Sequence, residues 1–140
     1  MISVGIVGAS GYTGEELVKL LLKHPEVEIT SLTSRTHSGK KINDVFELDK
    51  EINKNFLDPD VENLKDCDVV FFATPNGVAM KMSEELCSKG IKIIDISADF
   101  RLKDIEEWEK WYGIKHTSPF LLDSSAYGLP EIPGQKDKIK

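Results

Sequence analysis

Three glycines spaced three residues apart constrain this chain most. They lie in Ile2-Ser-Val-Gly-Ile-Val-Gly8-Ala-Ser-Gly11-Tyr-Thr-Gly14-Glu-Glu-Leu-Val-Lys-Leu-Leu-Leu22. A β-branched apolar run precedes the glycines and a helical pattern follows. Strand, glycine turn and helix in that order form the context in which such glycines signal dinucleotide binding. Without a Cβ, Gly8 and Gly11 allow a tight turn and close approach to a pyrophosphate, and Gly14 lets the helix pack closely on the strand. The free N–H groups of the first helical turn and the positive end of the helix dipole then face the phosphates. Ser10, Tyr12 and Thr13 fill the positions between the glycines.

The helix after the turn carries Leu17, Leu20 and Leu21 at helical spacing, widened by Val18 and Leu22. Thr13 and Glu16 have the spacing of a capping box, and Pro25 marks the stop. Val27 to Thr33 then reads as a second strand, completing one βαβ unit within about 35 residues. An NAD-binding unit would place an acid about 20 residues past the fingerprint to hold the ribose hydroxyls. This chain has Thr33-Ser34-Arg35 there instead. A hydroxyl and a guanidinium suit the 2′-phosphate of NADP, which arginine grips through two parallel hydrogen bonds. A solvated loop arginine is the alternative.

Cys67 to Ala73 is a near-continuous apolar run, the pattern of a buried parallel strand, and Thr74-Pro75-Asn76-Gly77 follows at its carboxyl end. A helix from Val78 to about Lys89 stops at Gly90, and Ile91 to Ile96 forms the next strand. Ser97-Ala98-Asp99-Phe100-Arg101 lies at its carboxyl end. Polar loops therefore converge on the edge that the glycine turn occupies. The expected fold class is α/β: a Rossmann-like, doubly wound, mostly parallel sheet with helices on both faces, spanning residues 1–140 as one domain. Asp104 to Tyr112 reads as a helix with Ile105, Trp108, Trp111 and Tyr112 on one face, an aromatic stripe of the core or of an interface.

The bulk properties narrow the partners. A net charge of −6 and a pI near 5.1 argue against nucleic acid or an anionic membrane. The longest apolar runs fall short of a membrane span, and the first residues read as a strand rather than a signal peptide. Cys67 and Cys87, without paired spacing, fit a reducing cytoplasm. Cys67 lies between Asp66 and Asp68, which raise a thiol pKa, and Cys87 lies within a helical pattern. Neither is read as a nucleophile, and no metal-ligand spacing is present.

Taken together these residues resemble the N-acetyl-γ-glutamyl-phosphate reductase family. The matching pieces are Gly8-Ala-Ser-Gly-Tyr-Thr-Gly-Glu-Glu-Leu17, Thr33-Ser34-Arg35, Ala73-Thr-Pro-Asn-Gly77, Asp95-Ile-Ser-Ala-Asp-Phe-Arg-Leu102 and Tyr127-Gly-Leu-Pro-Glu131. The resemblance implies an NADP(H)-binding Rossmann domain followed by an α+β domain for catalysis and oligomerisation, hence a homo-oligomer. It also implies the NADPH-dependent reduction of a small-molecule acyl phosphate to an aldehyde, in arginine biosynthesis. By the same resemblance Gly8, Ser10, Gly11, Tyr12, Thr13 and Gly14 line the pyrophosphate turn, and Ser34 and Arg35 meet the 2′-phosphate. Thr74 and Pro75 lie near the cofactor's ribose and nicotinamide, and Ser97 and Arg101 face the substrate. The family's nucleophilic cysteine lies beyond the Tyr-Gly-Leu-Pro-Glu turn, so it and the catalytic histidine are expected beyond Lys140. The end, Gln135-Lys-Asp-Lys-Ile-Lys140, reads as an element cut short. The alternatives are a stand-alone NADP-binding sensor and a related semialdehyde dehydrogenase of the aspartate or acetyl-aminoadipate type.

Overall fold

The structure, a computed structural model, describes residues 1–139. Strand β1 (Ile2–Val7) leads through the glycine turn into helix α1 (Tyr12–Leu21) and back into strand β2 (Val27–Thr33). After an irregular stretch come strand β3 (Val69–Phe72), helix α2 (Ala79–Ser88) and strand β4 (Lys92–Asp95). Helices α3 (Ile105–Tyr112) and α4 (Leu121–Ser124) follow. The four strands form one sheet in the order β2-β1-β3-β4, and every pairing is parallel. The chain winds outward from β1 in one direction and then, after β2, crosses over to wind in the other. The reversal falls between β1 and β3, the switch point at which open α/β sheets bind ligands.

Both faces of the sheet are covered. On one, Val4, Ile6, Ile29 and Leu32 pack with Val18 of α1 and with Ile42, Phe46 and Phe56 of the irregular stretch. A register shift at Val4/Gly5, where Val4 pairs with Ile29 but Gly5 with Ser31, allows Ile29 and Leu32 to reach that same core. On the other face Val7, Val70 and Phe72 pack with Leu64, Cys67 and with Ala79 and Leu86 of α2. Burying each such aliphatic or aromatic side chain stabilises the fold by about 1.5–3 kcal/mol. The doubly wound α/β reading therefore holds, with a sheet that is wholly parallel among the described residues.

Local details depart from the expectations in three places. Helix α1 starts at Tyr12 with Gly11 as its N-cap, which puts Thr13 inside the first turn, so the Thr13–Glu16 capping box does not form. Leu20 is 68% exposed while Val18 is fully buried and Leu17, Leu21 and Leu22 pack on the core, so Leu20 alone leaves the expected stripe. The aromatic stripe of α3 also divides: Trp108 is fully buried and Trp111 is 72% exposed. Burial of Trp108 follows from its partner, since its indole N–H donates to the Ala98 carbonyl at 2.7 Å. Gly90 does end α2 as expected, with φ +80 and its N–H bonded to the Cys87 carbonyl.

Candidate functional site

In an all-parallel sheet the carboxyl ends of β1, β3 and β4 share one edge. The turns that leave them are Gly8–Gly11, Ala73–Val78 and Ile96–Arg101. The first two press together across the switch point. Gly8 has φ +79, and a Cβ there would stand 2.5 Å from the Ala73 carbonyl oxygen and 2.9 Å from Thr74 Cγ2. A Cβ on Gly14 would stand 2.4 Å from the Ala9 carbonyl oxygen, so α1 begins directly against the backbone of the turn. Gly11 differs: its nearest neighbour to an added Cβ is the Gly8 carbonyl oxygen at 3.6 Å. The chain's own packing demands glycine at positions 8 and 14, whereas at position 11 a Cβ would meet only ordinary van der Waals contact.

Two helices start at this edge, and they are finished differently. The N-terminus of α2 is filled from within the chain. The Asp99 carboxylate, fully buried, accepts the Gly77 N–H at 2.7 Å on one oxygen and the Met80 N–H at 3.0 Å on the other. The N-terminus of α1 has no such partner among the described residues. Its N-cap is a glycine with extended backbone (φ −79, ψ 167), and the N–H groups of Tyr12, Thr13 and Gly14 precede the first intrahelical bond, from the Glu15 N–H to the Gly11 carbonyl. An anion arriving at the switch point therefore finds the dipole and donors of α1 open and those of α2 occupied.

The loop after β2 lies beside this opening. Ser34 is 3% exposed, and its hydroxyl lies 2.6 Å from that of Ser10 in the glycine turn. The Ala9 N–H donates to the Thr33 carbonyl at 3.0 Å, and the Ser34 N–H to the Leu57 carbonyl at 2.9 Å. Arg35, the next residue, is exposed and forms no ion pair among the described residues. Of the two residues expected at a 2′-phosphate, the structure presents Arg35 to solvent and turns Ser34 inward.

Tyr12 is 95% exposed and Thr13 is exposed, both on the open side of the turn. In the β3 loop Pro75 is exposed, and Thr74 Oγ1 is buried with no hydrogen-bond partner among the described residues. A buried hydroxyl without a partner costs about 1–3 kcal/mol, which a ligand group reaching it would recover. The Asn76 side-chain oxygen accepts the Ala98 N–H at 3.1 Å and joins the β3 and β4 loops.

The β4 loop is held from several sides. Asp95 Oδ1 accepts from the Ser97 N–H at 2.9 Å and from its hydroxyl at 2.6 Å, and burial raises the Asp95 pKa despite these bonds. His116 donates from Nε2 to the Asp99 carbonyl at 2.7 Å. Its Nδ1 accepts the Ser118 N–H at 3.1 Å, which fixes the neutral Nε2–H tautomer. Arg101 is exposed, and its guanidinium donates to the Ser97 carbonyl at 3.3 Å. Ser97 and Arg101 line a cleft of about 830 Å³ along β4, shared with Phe100, Tyr127 and Lys138. The structural role of Asp99 is not visible in its local sequence. The one hint is that Val78, at the start of α2, offers no capping side chain of its own.

Neither cysteine is placed for nucleophilic work at this edge. Cys67 is buried ahead of β3, at the opposite end of the strand, and burial pushes its thiol pKa up. Cys87 lies near the end of α2, and partial burial raises its thiol pKa as well. Among the described residues no cluster of three or more His, Cys, Asp or Glu side chains could hold a metal ion, and no helix is long and apolar enough to cross a membrane.

The family model for the semialdehyde dehydrogenase NAD-binding domain matches residues 3–140. The chain belongs to this family. Among curated relatives, the N-acetyl-γ-glutamyl-phosphate reductase of Thiobacillus denitrificans is 52% identical over the whole of this chain. That of Acinetobacter baylyi is 53% identical, again over the whole chain. The chain spans 41% and 40% of the lengths of these two relatives. Among solved structures, the aspartate semialdehyde dehydrogenase of Candida albicans, determined with NADP, superposes with a TM-score of 0.63. It is 26% identical, covering 75% of this chain and 32% of that one. The semialdehyde dehydrogenase family thus shares both the sequence pattern and the winding of the sheet.

Proposed function

We propose that this chain is the NADP(H)-binding portion of an N-acetyl-γ-glutamyl-phosphate reductase. The whole protein reduces N-acetyl-γ-glutamyl phosphate to the semialdehyde and releases phosphate, a step of arginine biosynthesis. The observation that carries the cofactor part is the contrast between the two helix starts: Asp99 closes α2, and among the described residues no side chain closes α1. The residues present fit the group. Gly8, Gly11 and Gly14, with Ser10, Tyr12 and Thr13, would cradle the pyrophosphate over the open first turn. Arg35, free of ion pairs among the described residues, would hold the 2′-phosphate. The partnerless Thr74 hydroxyl and Pro75 would meet the ribose and nicotinamide side.

When bound, NADPH supplies the hydride. The chain's own part is to bind, orient and wall off that group, with Ser97 and Arg101 turned to the substrate. Arg101 offers a fixed positive charge to an anionic acyl phosphate. The nucleophilic cysteine and its histidine are supplied outside residues 1–140, since Cys67 and Cys87 are misplaced for the role. Identity of 52% to 53% over the whole chain with reductases, against 26% with an aspartate semialdehyde dehydrogenase, favours the acetylglutamyl substrate. Unpaired cysteines suit a reducing compartment such as the cytoplasm. The catalytic portion is the natural place for contacts between subunits of a homo-oligomer.

Calorimetric titration of the chain with NADPH and with NADH tests the cofactor reading. Tighter binding of NADPH is expected, and absence of binding by both, or equal binding of the two, would overturn it. For the substrate, turnover by the whole protein with N-acetyl-γ-glutamyl phosphate and with aspartyl phosphate, measured side by side, decides between the two classes.

A further inference from the structure

Two hydroxyls join the phosphate-facing turn to the loop that carries Arg35. Ser10 Oγ and Ser34 Oγ lie 2.6 Å apart although 24 residues separate them in the chain. Ser34 Oγ also accepts the His37 N–H at 3.1 Å, which folds residues 34–37 into a tight turn. Thr36 Oγ1 stands 3.3 Å away. A serine hydroxyl has one proton to donate. With His37 N–H directed at its oxygen, Ser34 shares one further proton with Ser10 across the short contact, and either hydroxyl can donate it. The Ser10 side chain is half-exposed beside the opening above α1.

We propose that Ser10 and Ser34 are a positioning pair for cofactor selectivity: the hydrogen-bond chain from His37 N–H through Ser34 to Ser10 sets where Arg35 stands relative to the pyrophosphate turn. The inference rests on the reading of this crevice as an NADP(H) site and goes beyond it. Discrimination between NADPH and NADH then depends on two residues, one of which is only 3% exposed. Dinucleotide held on the turn fixes one end of the pair, and the guanidinium that must meet its 2′-phosphate hangs from the other. Loosening the link leaves both contacts possible singly and makes their simultaneous formation less favourable. The loss is therefore felt by the cofactor with two anionic ends to place.

The test is the ratio of NADPH to NADH affinity, measured by calorimetry on the 140-residue chain as wild type, Ser34→Ala, Ser10→Ala and the double variant. A change in overall stability moves both affinities together, whereas a positioning role moves their ratio. One lost hydrogen bond corresponds to a fall of about fivefold in the ratio for Ser34→Ala. The ratio should fall similarly for Ser10→Ala, a more exposed site that keeps the fold even where Ser34→Ala does not. The double variant should fall no further than the worse single one, because both changes cut the same link. A wild-type chain that prefers NADPH, with a preference surviving both substitutions or falling multiplicatively in the double variant, overturns the positioning pair alone. A wild-type chain without the preference overturns the functional reading and the pair with it.

Discussion

The Asp99 carboxylate accepts the Gly77 N–H at 2.7 Å from 22 residues further along the chain, and so finishes a helix that its own sequence leaves uncapped. The same carboxylate takes the Met80 N–H, while the Asp99 carbonyl accepts from His116. The loop after β4 is thereby locked to the loop after β3. Asp99→Ala leaves two buried donors unmet and should cost about 2–4 kcal/mol, twice the usual loss for one cap. Asp99→Asn keeps one acceptor and should cost about half as much. Urea unfolding of the three proteins checks the order. An alanine variant as stable as wild type would remove Asp99 from this role.

The three glycines should respond differently to the same substitution. Gly8→Ala and Gly14→Ala place a Cβ within 2.5 Å of backbone oxygens, and Gly8 adds a positive φ. Each should destabilise the fold by about 1–3 kcal/mol or more through forced backbone shifts. Gly11→Ala meets nothing closer than 3.6 Å at an ordinary φ of −79. Its stability should stay within about 1 kcal/mol of wild type, while NADPH affinity drops because the methyl occupies the space left for phosphate. Thermal unfolding and calorimetry on the same samples separate the two effects. Equal destabilisation by all three would contradict the geometry.

Arg35 should matter for one cofactor only. Arg35→Ala is expected to weaken NADPH binding by about 1.5–3 kcal/mol, the size of a charge-assisted hydrogen bond. NADH binding should barely change. Equal losses for both cofactors would count against a 2′-phosphate contact.

Asp95 gives a pH dependence with a definite sign. Burial holds its folded pKa above the usual carboxylate range, against the opposing bonds from Ser97. Between its unfolded and folded pKa values the folded state keeps the proton more often than the unfolded state. Stability therefore falls as pH rises through that window, and the cost is fully present above it. Asp95→Asn cannot ionise, and its amide oxygen can still accept from Ser97. The stability of wild type relative to Asp95→Asn should decline as pH rises from the usual carboxylate range. A difference that is flat with pH, or that grows, would contradict the assignment. Urea midpoints at several acidic pH values measure it.

Much of the scaffold was legible locally. Val27–Thr33 was readable as a strand from its β-branched run, and α2, β4 and α3 from periodicity and from Gly90. Residues two apart on a strand, or three or four apart on a helix, share a face, so such elements leave a pattern in the sequence. The fingerprint glycines were legible from their spacing between a strand and a helix, and the contact that demands Gly14 is short-range, with the Ala9 and Gly8 carbonyls. Leu20 and Trp111 show the limit. Their spacing places them on an apolar face, yet each lies beyond the edge of what the sheet or the β4 loop covers. Ser34 shows a contact that local spacing does not carry, since its hydroxyl lies 2.6 Å from that of Ser10, 24 residues away.

The sequence by itself determined a strand, a glycine turn and a helix in the right order for a dinucleotide, with an arginine where an acid would stand for NAD. Tertiary structure alone decided the β2-β1-β3-β4 order that brings Gly8 against Ala73, the closing of α2 by Asp99 and the pairing of Ser10 with Ser34. Those contacts join residues separated by 19 to 65 positions, where no local spacing encodes them. Which helix start stays open to an anion depends on where another loop's carboxylate lands, and only the packed sheet fixes that.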